Sequence, residues 1–298
     1  MDEDYKVHFE YDNREKYVIE YLLNSNSDII GLQEAGWKKA KSGGTSLDWF
    51  DTLGDGDTAA GLTAAGYTCV KGDDLFGGTN ANKTMYNPIY FKTEKYILIA
   101  NDTIWFTDKA SRYSASTIEG ADTYKALNYV ILQDKETGAQ FMYVNLHLIV
   151  QDNSNTFQEL QVIYLREILN DLLAQYRLPM FIGGDFNNSA SVINNWFTKS
   201  VVNADGSIDS NGKPTETVKV LRVNENADYT VKGCSTTTAD FTAKGTSTGA
   251  INLWFVSNFE GILHSYIVDD NKNETTGKYP SDHLPVIFEA TLYSHNSN

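Results

Sequence analysis

Ile182-Gly183-Gly184-Asp185-Phe186-Asn187 has the form of a buried strand that runs out into a carboxylate and a carboxamide two positions apart. Residues i and i+2 of an extended chain share a face, so the strand end aims both side chains at one point. An Asp there can ligate a cation or take a proton from water, and an Asn can orient a neighbouring oxyanion without adding charge. Three other segments repeat the theme of an apolar strand followed by an acid or an imidazole. They are Ile29-Ile30-Gly31-Leu32-Gln33-Glu34, Tyr143-Val144-Asn145-Leu146-His147 and Ser281-Asp282-His283-Leu284-Pro285. Four such strand ends in one chain point to a single hydrolytic site.

The strings LQE, His-Leu after a strand, GGDFN and SDHLPV occur in the order and spread of the endonuclease/exonuclease/phosphatase superfamily, which the chain resembles from about residue 5 to about residue 292. That family includes pancreatic-type deoxyribonucleases, abasic-site endonucleases, neutral sphingomyelinases and inositol polyphosphate phosphatases. GGDFN together with SDHLPV is the specific part of the match; LQE or a lone strand-end His is weak by itself. The resemblance implies an α/β fold in which two mixed β-sheets pack face to face with helices outside, a four-layer α/β sandwich with its site at one edge. It also implies a phosphoester hydrolase, dependent on Mg²⁺ or Mn²⁺, that attacks with water directly. Phosphodiesters rank first as substrates, nucleic acid ahead of phospholipid headgroups.

By the same resemblance Glu34 and Asp282 are the metal ligands, since a hard cation prefers oxygen and takes one or two carboxylates plus waters and substrate phosphate. Asp185 positions or deprotonates the attacking water, and Asn187 hydrogen-bonds the water or the phosphate. His147 donates to a phosphate oxygen or the leaving group, and His283 contacts the scissile phosphate with Asn252 beside it. Two positions depart from the family pattern. Tyr5-Lys6-Val7-His8 carries Lys6 where the family has an Asn, and Ile251-Asn252-Leu253-Trp254-Phe255-Val256-Ser257 carries Asn252 where it has an Asp. An Asn accepts a hydrogen bond but cannot offset an imidazolium charge. These two changes support a second reading, a catalytically impaired relative that keeps the pocket as a binding module.

The site segments span residues 34 to 283, so we expect one domain over 1–298 that gathers them. Only four residues precede Tyr5, which leaves room for a truncated first strand. A formal charge of −15 repels polyanions at long range and supplies no basic footprint for tight nucleic-acid binding. Transient attack on a phosphodiester at a cation-filled site stays compatible with it. No stretch approaches the ~18 apolar residues of a membrane span, and we expect a monomer. Cys69 and Cys234 are too few for a disulfide framework and read as free thiols. Met1 is followed by acidic residues, so no leader is read there, yet the Asn/Thr-rich, Lys/Arg-poor texture suggests an exported, cell-surface or periplasmic protein.

Along the chain, residues 14–24 read as a helix capped by Asn13, and 28–33 as a short strand ending at Glu34. Residues 38–66 read as a long loop with helical pieces, anchored by Trp37, Trp49 and Phe50. Strands are expected near 88–92, 96–100, 126–133, 140–147, 180–184, 251–257 and 284–292. Thr156 to Tyr176 is the clearest helix, with Thr156 and Glu159 at capping-box spacing. Asp205-Gly206 and Asn211-Gly212 mark an inserted hairpin or loop at 201–218. The loops at 38–84, 107–124 and 203–250 are expected to set specificity, with Arg112, Tyr113, Tyr124 and Tyr229 as candidate contacts.

Overall fold

A computed structural model describes residues 11–35, 57–73, 75, 86–121, 124–150, 156–214, 220–222, 251–269, 271–272, 274, 279, 281 and 283–293. In chain order its elements are α1 (Tyr11–Asn24), β1 (Ile29–Gly31), α2 (Asp57–Ala64), β2 (Tyr67–Val70), β3 (Ile89–Lys92), β4 (Tyr96–Trp105), β5 (Ala126–Asp134) and β6 (Gln140–His147). There follow α3 (Thr156–Tyr176), β7 (Met180–Asp185), α4 (Ala190–Lys199), β8 (Val201–Val202), β9 (Ile208–Asp209), β10 (Val220–Arg222), β11 (Asn252–Ser257), β12 (Gly261–Val268) and β13 (Val286–Leu292).

The centre is a six-stranded sheet in the order β10-β11-β7-β6-β5-β4. Its β6–β7 pair is parallel and the other neighbours are antiparallel. The middle strands are buried on both faces, which is why β5 and β6 read as near-continuous apolar runs rather than as alternation. One face packs Val144, Leu146 and Ile182 against Leu165, Ile168 and Leu169 of α3 and Trp196 of α4. The opposite face presents Val130, Phe141, Tyr143 and Phe181 to Ile89 and Phe91 of β3 and to Phe288 of β13. Tyr143, Trp254 and Phe288 stack in series across that gap at 5.4 Å between ring centres, a geometry that adds to plain area burial.

The second strand layer consists of the antiparallel sheet β1-β3-β2 and the antiparallel pair β12–β13. Beyond it, Ile30, Tyr67 and Tyr90 meet Leu62 of α2 and Leu22 and Leu23 of α1. The order is therefore helix, sheet, sheet, helix, the four-layer α/β sandwich. Among the described residues the mixed strand directions lie in the six-stranded sheet. No helix of the described residues is long and apolar enough to cross a membrane.

Several boundaries differ from the sequence expectation. Helix α1 begins at Tyr11, so Asn13 lies inside its first turn and is not the cap. Glu159 turns away from a capping box: its buried carboxylate accepts the Ser200 hydroxyl at 2.5 Å and ties α3 to the end of α4. Strand β4 runs on to Trp105 through the polar Asn101-Asp102-Thr103, because Thr103 faces a polar partner inside the fold. The hairpin at 201–218 is present as β8–β9, with Asp205 accepting the Ser207 amide in its turn. Cys69 on β2 is a free thiol. Lys6, Trp37, Trp49, Phe50, Tyr229, Cys234 and the stretch 232–250 lie outside the described residues.

Candidate active site

The site is built by strand register. In the parallel pair His147 lies opposite Asp185, and in the antiparallel pair Asn252 lies opposite the same Asp185. Three adjacent strands, β6, β7 and β11, thus end level with one another at one sheet edge. The two glycines before Asp185 make this possible. Gly184 has φ 144°, and a Cβ there would stand 2.0 Å from the Leu146 carbonyl oxygen, so only glycine lets β7 lie this close to β6.

Glu34 and His283 arrive from the second layer, just after β1 and just before β13. His147 Nε2 is 3.9 Å from Glu34 Oε1 and 3.8 Å from Asp185 Oδ2, and His283 Nδ1 is 3.8 Å from that same Oδ2. These separations exceed hydrogen-bond reach but place two carboxylates and two imidazoles around one point. His283 Nδ1 does pair with Asn252 Oδ1 at 2.8 Å, and its backbone amide donates to Ser281 Oγ. Asn187, at φ 51°, donates its amide to Asp185 Oδ1 and its side-chain Nδ2 to the Leu148 carbonyl, both at 2.8 Å. The Asp-Phe-Asn segment is therefore an Asx turn as well as a site segment. From below, Gln158 of α3 donates to the Ile149, Phe186 and Asn187 carbonyls, and Gln161 accepts the Ile149 amide, clamping both loops that follow β6 and β7.

Burial sets the charges. Desolvation raises the proton affinity of the Asp185 carboxyl, offset in part by His283, the Asn187 amide and Lys125. Burial, then the Lys125 and His283 charges, depress His147 well below the usual imidazole range, so it is neutral at physiological pH. Its Nδ1 is buried without a partner, while Nε2 faces two carboxylates. Those carboxylates favour the tautomer with the proton on Nε2, which makes His147 a neutral donor pointed into the site.

The structure brings together Glu34, His147, Asp185, Asn187, Asn252 and His283, six of the seven residues singled out from sequence; Asp282 lies outside the described residues. It adds Lys125, at the start of β5, which sequence reasoning missed. Lys125 is 6% exposed, and burial pulls its ammonium down to about 8 although Glu34 and Asp185 both work to hold the proton. A buried cation near two carboxylates can receive a phosphoryl oxygen. The available signal was a lysine abutting an apolar strand in a chain short of basic residues. Arg112, in contrast, is no substrate contact: it is 1% exposed and bound to Glu167 at 2.9 Å and Asp171 at 3.3 Å on α3. Tyr113 is exposed, and Tyr124 packs edge-on against Trp105.

The donor chemistry fits a hard divalent cation. The Glu34 carboxylate is 64% exposed beside a buried Asp185 carboxylate that gains from any positive charge nearby. Among the described residues no three His, Cys, Asp or Glu side chains enclose a metal ion by themselves. Among the described residues, a cation held by Glu34 would therefore complete its shell with water and substrate, the open arrangement usual for Mg²⁺.

The layers and the edge cluster define a class: an α/β sandwich with carboxylates and imidazoles gathered at converging strand ends. No family model matches the chain, and no curated protein matches it in sequence. Solved structures do match. An endonuclease/exonuclease/phosphatase from Bacteroides vulgatus aligns with a TM-score of 0.66 at 20% identity, over 95% of this chain and 92% of that one. A mannosyl-6-phosphatase of Bacteroides thetaiotaomicron aligns at 0.65 and 18%, over 95% and 92%. The D. rerio TDP2 complexed with single-strand DNA product aligns at 0.59 and 15%, over 97% and 95%. The chain therefore shares its fold with these solved structures, an endonuclease/exonuclease/phosphatase among them.

Proposed function

We propose that this protein is a phosphoester hydrolase dependent on Mg²⁺ or Mn²⁺, and within that class a phosphodiesterase that attacks with water directly. The observation that carries the reading is the meeting of Glu34, His147, Asp185 and His283 around one point, with the paired distances of 3.8–3.9 Å given above. Glu34, with Asp282, would hold the cation, which when bound neutralises charge on the phosphoryl oxygens. Asp185 takes the proton of the attacking water; its raised proton affinity brings it nearer to the working pH of a general base. The Asx turn through Asn187 fixes the direction of that carboxylate. His147, neutral with its proton on Nε2, donates to a phosphoryl or leaving-group oxygen without needing acid pH. Lys125 supplies a fixed positive charge to the non-bridging oxygens.

His283 is oriented by Asn252 through Nδ1, and the charge that Asn252 lacks is supplied by Asp185 at 3.8 Å. This supports an active site over the binding-only reading that Asn252 motivates. Among substrates, a diester carries less charge than a monoester or a polyphosphate and suits a site whose only buried lysine among the described residues is Lys125. The composition that favours an exported protein belongs to the same proposal. Rates on a chromogenic phosphodiester and the matching monoester, measured with Mg²⁺ at equal concentrations, test the substrate class. Faster diester cleavage is expected; exclusive monoester cleavage would make the protein a phosphatase instead. A tenfold or larger gain from Asn252→Asp would identify Asn252 as a limiting defect, in line with the ~10²–10⁴-fold worth of positioned acid–base groups.

A further inference from the structure

We propose that Asn145 is the positioning residue for Glu34, at the head of a ladder of buried side chains that joins the two strand layers beneath the site. The inference rests on the reading of Glu34 as the cation's ligand and says what holds that ligand in place. Asn145 is fully buried on β6, between the core residues Val144 and Leu146. Its Nδ2 donates to the carbonyls of Leu32 at 2.9 Å, Pro88 at 3.0 Å and Asn87 at 3.1 Å, and its Oδ1 accepts from Gln33 Nε2 at 2.6 Å. The two residues it grips, Leu32 and Gln33, are those immediately before Glu34. On the other side of Glu34, Ala35 exchanges both backbone hydrogen bonds with Tyr86.

The grip matters because Glu34 has φ 55°, the left-handed region that a residue with a Cβ rarely holds unaided. Released on either side, the backbone would relax toward an ordinary conformation and swing the carboxylate away from Asp185 and His147. The ladder continues outward in register. Asn128 of β5 lies opposite Asn145, and Thr103 of β4 lies opposite Asn128. Asn128 donates to the Asn87 carbonyl at 2.7 Å and accepts from Thr103 Oγ1 at 2.7 Å, and Thr103 Oγ1 accepts the Asp73 amide at 2.9 Å. An apolar residue would sit in any of these core positions at less desolvation cost. What it could not do is hold the carbonyls of the facing layer. The rungs divide the work: Asn145 alone reaches the Glu34 segment, while Asn128 and Thr103 hold segments 71–73 and 87.

Hydrogen exchange of the metal-free protein, together with Mn²⁺ titration read from the spin-resonance signal of the free ion, separates these roles. In Asn145→Ala, amides of residues 32–35 are expected to exchange at least ~10-fold faster, and Mn²⁺ to bind ~10–100-fold more weakly, the usual range for a group that orients a metal ligand. Asn128→Ala is expected to leave both within about twofold while lowering the melting temperature. Unchanged exchange at 32–35 in Asn145→Ala, or an equal rise in Asn128→Ala, would overturn the proposal. Should Asn145→Ala fail to fold, Gln33→Ala removes the partly exposed partner of the same bond. Faster exchange at 32–35 supports the ladder there too, and none overturns it. Glu34→Gln tests the underlying reading separately: Mn²⁺ affinity equal to that of the parent protein would remove Glu34 as a ligand, whereas the exchange result still decides what Asn145 positions.

Discussion

Two buried groups in the site, Asp185 and Lys125, are each held in the less comfortable charge state. Burial raises the Asp185 carboxyl above its usual value of 3.8, so the folded state binds more protons than the unfolded chain just above that pH. Stability is therefore lost as pH rises through the folded value, and the ionised carboxylate is a full penalty at neutrality. Asp185→Asn should raise the melting temperature of the metal-free protein and lower turnover by roughly 10²–10⁴-fold. Lys125 has the mirror-image problem. Its fall from 10.5 to about 8 means the folded state releases a proton that the unfolded chain keeps, so stability climbs between those two values. The corresponding penalty at pH 7 is roughly 3 kcal/mol. Lys125→Met should be more stable than the parent at pH 7 in urea denaturation, with the gap narrowing to about 1.4 kcal/mol by pH 9.5 and closing only above the unfolded value of 10.5, while turnover drops. At this scale the sequence exposed Glu34, His147, Asp185 and His283, because each follows or precedes a strand in a recognisable context. Lys125 was not legible: before a strand it looks like any solvated lysine, and only tertiary burial marks it out.

Element by element, legibility followed burial pattern. Strands β5 and β6 and helix α3 announce themselves because apolar residues fill most positions of the strands and every turn of the helix. Helix α4 was missed although Ile193, Trp196 and Phe197 form its buried stripe, since Asn194 and Asn195 dilute the helical signal. Strand β12 was missed because its pairing with β13 slips by one residue at His264 and its face is half exposed, so no clean alternation survives. Arg112 shows the opposite error, a charged loop residue read as a contact that is in fact a tether. Its guanidinium holds the loop after β4 against α3 through two half-exposed carboxylates. Arg112→Ala should cost about 2 kcal/mol in urea denaturation, because partners in water recover solvation while the core loses packing. Turnover of a small phosphodiester should change little, since no Arg112 atom reaches the Glu34–Asp185 cluster. A loss of turnover without loss of stability would return Arg112 to the list of substrate contacts.

For the molecule as a whole, a net charge of −15 surrounds a cluster that itself needs positive charge. A divalent cation should therefore stabilise the folded protein through linkage, by about 2.7 kcal/mol at a hundred times its dissociation constant. The melting temperature should rise by several degrees with Mn²⁺ and fall back in EDTA, and Glu34→Gln should abolish the rise. The architecture explains how Glu34 and His283, about 250 residues apart, come to meet at one site: two sheets end at the same edge, and register sets the depth of each side chain. That the layers would stack as a four-layer sandwich followed from the resemblance of four short motifs. The amide ladder between the layers did not, because Asn128 and Asn145 sit inside apolar runs where a single polar residue carries no visible partner. The central claim, a cation-dependent phosphodiesterase with Asp185 as its base, is tested most directly by hydrolysis of a chromogenic phosphodiester with Mg²⁺ or Mn²⁺, beside EDTA and Asp185→Ala controls. Turnover that disappears in both controls is the predicted result; no turnover from folded, cation-loaded protein would contradict the account and leave a binding module in its place.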